Sequence, residues 1–247
     1  MGFFAKAQEM ELIENDLLAS FQKINAWSQQ KDNVSSYDSL EVANDKFEEL
    51  LLKYTSFEPK TLHSSLVLLD KAGLTIKTSS DGKFRIYSWD TQTGGTMRYF
   101  RNVFQYQNGE KVFSKTLENR NENLDDPLCV FYQIDDLKVG DKTYYITQSI
   151  SIFSTALSYH NLNIFAISGD SNLEESKLIK TSSGLHNQLG YEVDLIAQPN
   201  RGREIKNTSI DYNPKIKIIS IPLIWADGKI TSKRILYKFN GKYFEKI

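Results

Sequence analysis

From Met10 to Trp27 the apolar residues Met10, Ile13, Leu17, Phe21, Ile24 and Trp27 recur at three- and four-residue steps, which puts them on one face of a helix. A polar loop over residues 29–36 precedes a second periodic stretch that carries Leu40, Ala43, Phe47, Leu50, Leu51 and Tyr54 on one face. Asp38 or Ser39 suits its start, because a short side-chain oxygen accepts from the orphan N–H groups of a first helical turn. Pro59 fits the first turn of a third, shorter helix and Gly73 its left-handed stop. Residues 1–73 therefore read as a helical front, with the two long helices as an antiparallel hairpin.

After Gly73 alternation replaces the helical period. Asp81-Gly82, Asn108-Gly109, Asp227-Gly228 and Asn240-Gly241 each sit between β-rich runs, and such pairs favour the backbone conformations of tight hairpins. Strands are expected at 74–79, 83–90, 96–107, 111–117, 128–137, 142–150, 162–168, 215–224, 230–239 and 243–246, with polar surface loops at 118–126 and 198–207. The fold class is thus α+β, mainly β, with N-terminal helices followed by an antiparallel meander over residues 74–247. Three hairpins end in aromatic-rich strands, centred on residues 84–90, 162–167 and 235–239. The first, Phe84-Arg85-Ile86-Tyr87-Ser88-Trp89-Asp90 with Thr91 and Thr93-Gly94 after it, resembles the closing strand of a WD-type propeller blade, which implies a small or divergent β-propeller as the alternative. The wider run over residues 80–106 is similar to uncharacterised exported proteins of Bacteroidetes-type bacteria; that resemblance implies export and no particular chemistry.

Composition narrows the classes. The chain has 247 residues, 40% of them hydrophobic, with 13 Tyr, 14 Phe and 5 Pro, which suits one or two packed domains rich in β structure. Its 30 basic and 31 acidic residues are mixed along the chain, which argues against a nucleic-acid partner, since that needs a basic face. No apolar run approaches the roughly 20 residues that span a bilayer. Phe3-Phe4-Ala5-Lys6-Ala7 before Gln8 reads like the end of a secretory signal, with small residues where a signal peptidase inspects, so a periplasmic or extracellular location is expected and a cytoplasmic one is the alternative. Cys129, the single cysteine, lies in the apolar run Leu128-Cys129-Val130-Phe131 and reads as a buried, inert thiol.

The common catalytic patterns are missing. His63, His160 and His186 are far apart, with no ligand spacing for zinc, and no nucleophile elbow, Walker loop or dinucleotide fingerprint occurs, so no metal or cofactor is expected. The acidic pairs Asp125-Asp126, Asp135-Asp136 and Glu174-Glu175 are adjacent residues that point to opposite faces of a strand, so none serves alone as a glycosidase pair. Asp170 to Glu174 alternates oxygen ligands as a calcium loop does, but it lacks the glycine of the sharp turn.

What remains is the hairpin over residues 84–102. If residues 91–95 are its loop, Trp89 pairs with Met97, Tyr87 with Tyr99 and Arg85 with Arg101, and these side chains share one face. Opposed arginines are best tolerated with an anion between them, either an internal acid such as Asp135, Asp136 or Glu118, or a ligand. Arg85, Tyr87, Trp89, Tyr99 and Arg101 are therefore the candidate binding residues of a noncatalytic module for a glycan, a peptide or an anionic group. A core role for the same aromatics is the plainer reading. The rival function is a hydrolase whose carboxylates or histidines converge only in the fold.

Overall fold

The computed structural model describes residues 2–30, 34–116, 128–206 and 208–247. The expected loop at 118–126 lies outside them. The chain divides into two compact units, Met1–Val130 and Phe131–Ile247. This division differs from the one expected at residue 73, because the helices share a core with the first four strands.

In the first unit α1 (Gly2–Ser28) and α2 (Val34–Phe57) are the two long helices. The periodic stripe predicted for them is the buried one: Ile13, Leu17, Phe21 and Ile24 meet Leu40, Ala43, Phe47 and Leu51, and all of these join Tyr87, Trp89 and Val103 of the sheet in one cluster. Phe21 lies 4.9 Å from Phe47, centroid to centroid, and Phe47 meets Trp89 edge-on at 5.1 Å. The third helix is broken in two. Pro59–Leu62 is a short 3₁₀ turn, capped by the Glu58 side chain on the Lys60 N–H, and α3 (Val67–Lys71) begins only after Leu66 takes a left-handed φ of 46°. Gly73, at φ 107°, stops it as expected.

Strands β1 (Thr75–Thr78), β2 (Phe84–Asp90), β3 (Phe100–Asn108) and β4 (Lys111–Thr116) follow in chain order as an antiparallel meander. The register of β2 on β3 corrects the expected one: Arg85 faces Gln105, Tyr87 faces Val103 and Trp89 faces Arg101. The loop is longer than a count of small residues suggests, because the Thr91 N–H closes it on the Tyr99 carbonyl at 2.8 Å. The error is an even number of residues, so the side chains keep their face while losing their partners.

The second unit packs two sheets. One has the order β11-β7-β6-β5, built from β5 (Val130–Val139), β6 (Lys142–Ile152), β7 (Leu157–Ile167) and β11 (Gln188–Asp194), with β8 (Leu173–Glu175) also on β7. The other has the order β10-β9-β15-β14-β13-β12, from β9 (Ile179–Thr181), β10 (Gly184–His186), β12 (Asp211–Asn213), β13 (Ile218–Ile224), β14 (Ile230–Phe239) and β15 (Phe244–Lys246). Leu137, Ile146, Leu162 and Ile164 of the first meet Ile179, Ile219, Tyr237 and Phe244 of the second in one core. β7 pairs antiparallel with β6, β8 and β11, and β14 with β13 and β15, whereas β15 and β9 run parallel. Pro222 sits where the β13–β14 register shifts, a place that tolerates its missing N–H. The sheets are open, and the propeller alternative fails: among the described residues no blade repeats and no ring closes. Cys129 is half-buried, less enclosed than expected.

Candidate ligand cleft

The face of β2 and β3 that carries Arg85, Tyr87, Trp89 and Arg101 is the face the helices cover, so most of it is interior. Arg85 is 6% exposed, and its guanidinium spends its donors on backbone and hydroxyl: Nη1 to the carbonyls of Thr61 at 2.6 Å and Ser64 at 2.7 Å, Nε to Thr78 Oγ1 at 2.7 Å. Tyr87 is fully buried and donates to Gln105 Oε1 at 2.9 Å, while Gln105 Nε2 donates to the Thr55 carbonyl and to Thr61 Oγ1. Burial pushes the Tyr87 phenol up, against the pull of Arg85 beside it. Trp89 donates to Asn44 Oδ1 at 3.0 Å, and Asn44 in turn donates to the carbonyls of Leu40 and Thr91. These groups tie the sheet to α2 and to the 3₁₀ turn. They are not a surface on which a ligand could stack, which corrects the expectation for Arg85, Tyr87 and Trp89.

Arg101 and Tyr99 have a different setting. Arg101 reaches acids of α2 and not Arg85: Asp45 at 2.8 Å, Glu41 at 3.3 Å and Glu48 at 3.8 Å. These carboxylates lie on one helix face, because they are four and then three residues apart. Burial raises Glu48 above the ordinary carboxylate range, Arg101 lowers it, and Asp45 and Glu49 raise it further. The anion beside Arg101 is thus supplied from within, by Glu41, Asp45 and Glu48 and not by the expected Asp135 or Asp136; the expected Glu118 lies outside the described residues.

Tyr99 and Arg101 line a cleft of about 650 Å³ between the 91–99 loop and the first turns of α2, together with Tyr37, Glu41, Thr93 and Thr96. The volume falls within the ordinary range of small-molecule sites. The loop is held from within. Thr91 Oγ1 shares a hydrogen bond with Thr93 Oγ1 at 2.8 Å and donates to the Tyr99 carbonyl at 3.0 Å, and Asp90 takes the Gln92 N–H and Arg98. Gly94 is required here, since a Cβ would lie 2.1 Å from the Met97 carbonyl oxygen and 2.9 Å from the Tyr99 ring. Tyr37 and Glu41 were missed in the sequence because α2 starts at Val34, one turn before the Asp38 cap that the pattern suggested.

Among the described lining residues Glu41 is the single carboxylate, and Arg101 holds it, so none of them supplies the second acid of a hydrolytic pair. His63, His160 and His186 do not line it, and no metal-ligating cluster occurs among the described residues. Comparison with family models, with curated proteins and with solved structures yields no match, so the cleft is read from its own geometry.

Proposed function

We propose that this protein is a noncatalytic binding module that holds a hydroxyl-rich ligand, a glycan, in the cleft beside the 91–99 loop. One observation carries the reading: an aromatic ring, an Arg101–Glu41 pair and threonine hydroxyls face one open cleft whose loop is already fixed by its own hydrogen bonds. The ring of Tyr99 offers a plane for the apolar face of a sugar, and the charged pair offers a donor and an acceptor to neighbouring hydroxyls. A fixed loop lowers the ordering cost of binding. The charge balance selects among the glycan, the peptide and the anion first considered. Among the described residues Arg101 is the one cation that lines the cleft, and three carboxylates of α2 already surround its guanidinium, which favours a neutral ligand over an anionic one.

The test is a titration of neutral oligosaccharides, followed by amide shifts and calorimetry, on the whole chain and on Tyr99→Ala and Tyr37→Ala. Saturable shifts in the 91–99 loop, weakened about tenfold in each variant, are expected for the loss of one stacked ring. Binding that persists in both variants, or a panel that shifts nothing in the loop, removes the reading. Release of new reducing ends during the titration would replace it with the hydrolase.

A further inference from the structure

In the second unit a single buried side chain joins two loops. Asn200 is 1% exposed; its Nδ2 donates to the carbonyls of Asp194 at 2.7 Å and Gly228 at 3.0 Å, and its Oδ1 accepts the Ile230 N–H at 3.1 Å. The loop after β11 and the β13–β14 turn are thereby fastened side by side. Asp194 accepts the N–H groups of Ile196 and Ala197, which fixes the start of the first loop, and the Trp225 N–H bonds the Lys229 carbonyl across the second.

What this joined tip shows to solvent is unusual. Ile196 is 60% exposed, Trp225 53% and Leu195 40%, three large apolar side chains that a sandwich would ordinarily turn inward. Around them stand three cations, Arg201, Arg203 and Lys229, that make no ion pair among the described residues. Arg201 donates to the Ile196 carbonyl, Arg203 to the carbonyls of Pro199 and Ile230, and Lys229 lies over the Trp225 ring at 4.9 Å. Carbonyls anchor those guanidinium groups without neutralising them. Lys206 is paired with Glu204 at 3.0 Å and adds no net charge; the carboxylates of Asp194 and Asp227 accept loop N–H groups, those of Ile196, Ala197 and Lys229, so the three unpaired cations exceed the remaining acids by one.

We propose that this tip is a docking surface for an anionic lipid bilayer. An indole and aliphatic side chains on the joined loops enter the headgroup layer, where an indole is most at home, while the unpaired cations face lipid phosphates. Asn200 makes the two loops one rigid body, so Ile196 and Trp225 insert together. The charge complementarity distinguishes this occupant from a second copy of the chain, whose own tip would carry the same positive charge.

The experiment is co-sedimentation of the whole protein with vesicles of phosphatidylcholine and phosphatidylglycerol, against vesicles of phosphatidylcholine alone, at low and high salt. Binding to the anionic vesicles, its loss on the neutral ones and its weakening by salt are expected. Trp225→Ala and Ile196→Ser each lower the bound fraction about tenfold, as the loss of one inserted apolar side chain requires, and leave the melting temperature in place because both residues are exposed. Asn200→Ala would disturb the fold and is not a suitable probe. Equal binding by wild type and both variants would reduce the tip to nonspecific charge and overturn the proposal. So would absence of binding, or a dimer in sedimentation that Trp225→Ala dissolves.

Discussion

The two units bury polar side chains on different terms. In the first, Arg85, Tyr87, Gln105, Thr55 and Thr61 form one connected set and Trp89 with Asn44 a second; both bolt helices to sheet, and each member finds a partner. In the second, Ser149 Oγ, His160 Nδ1, Asn161 Oδ1 and Tyr212 OH are buried with no hydrogen-bond partner among the described residues, against Ser114 Oγ in the first. A satisfied network specifies a unique packing, because every rearrangement strands a donor or acceptor; orphan groups confer no such penalty on rearrangement. The packing of the first unit is therefore specified by buried polar contacts between helix and sheet, whereas the second, Asn200 apart, leans more on the apolar core between its sheets.

The contrast can be broken at its base. If the helices belong to the first unit's core, Phe21→Ala should lower stability in chemical denaturation by about 3 to 5 kcal/mol, the usual loss for a buried phenylalanine. A change under about 0.5 kcal/mol would make the helices an appended arm and void the comparison. A sharper version uses two serines, each wholly buried on a strand. Ser88 Oγ donates to Asn102 Oδ1 at 2.6 Å, whereas Ser149 Oγ has no partner. Ser88→Ala should cost about 1 to 2 kcal/mol by stranding the amide oxygen, while Ser149→Ala should cost nothing or stabilise. Equal losses, measured by urea midpoints, would mean that partnering does not separate the units.

The smallest effect concerns pH. His160, 8% exposed, lies flat on Tyr191 at 5.5 Å, with Ser158 Oγ at 3.2 Å from Nε2. Burial holds its imidazole below the ordinary value, so the fold keeps it neutral where the unfolded chain takes a proton near about pH 6.5. The unfolded state then binds more protons, and stability is lost as pH falls from that value toward the depressed folded one. His160→Phe keeps a ring on Tyr191 and removes the titration, so its denaturation midpoint should gain on wild type between about pH 7.5 and pH 5. A difference that does not change with pH would place the acid sensitivity elsewhere.

Much of this architecture was legible in the pattern of residues. The stripes of α1 and α2 declare their buried faces, and Gly82, Gly109, Gly228 and Gly241 all turn with the positive φ that their Asx-Gly pairs implied. The strands that were missed, β8 to β12, are mostly three residues long, too short for alternation to show, and β11 is interrupted by Gly190. The order of strands in the second unit depends on long-range pairing that local pattern does not encode. The cleft was half legible: Tyr99 and Arg101 were named, but their true neighbours come from α2, and no local signal marks Tyr37 and Glu41 as facing a loop fifty or so residues on. Arg85, Tyr87 and Trp89 misled because an aromatic and arginine cluster looks alike whether it binds a ligand or a helix.

The parallel pair between β9 and β15 also orders events during synthesis. In its sheet β15 is the member that joins β9 and β10 to β14, so that sheet stays in two pieces until Phe244 has left the ribosome. At ordinary elongation rates the nascent second unit waits roughly ten seconds with the β9 edge unpaired, after every residue of the first unit is already out and able to fold. The interval is a window in which a chaperone, or a neighbouring chain, competes for that edge.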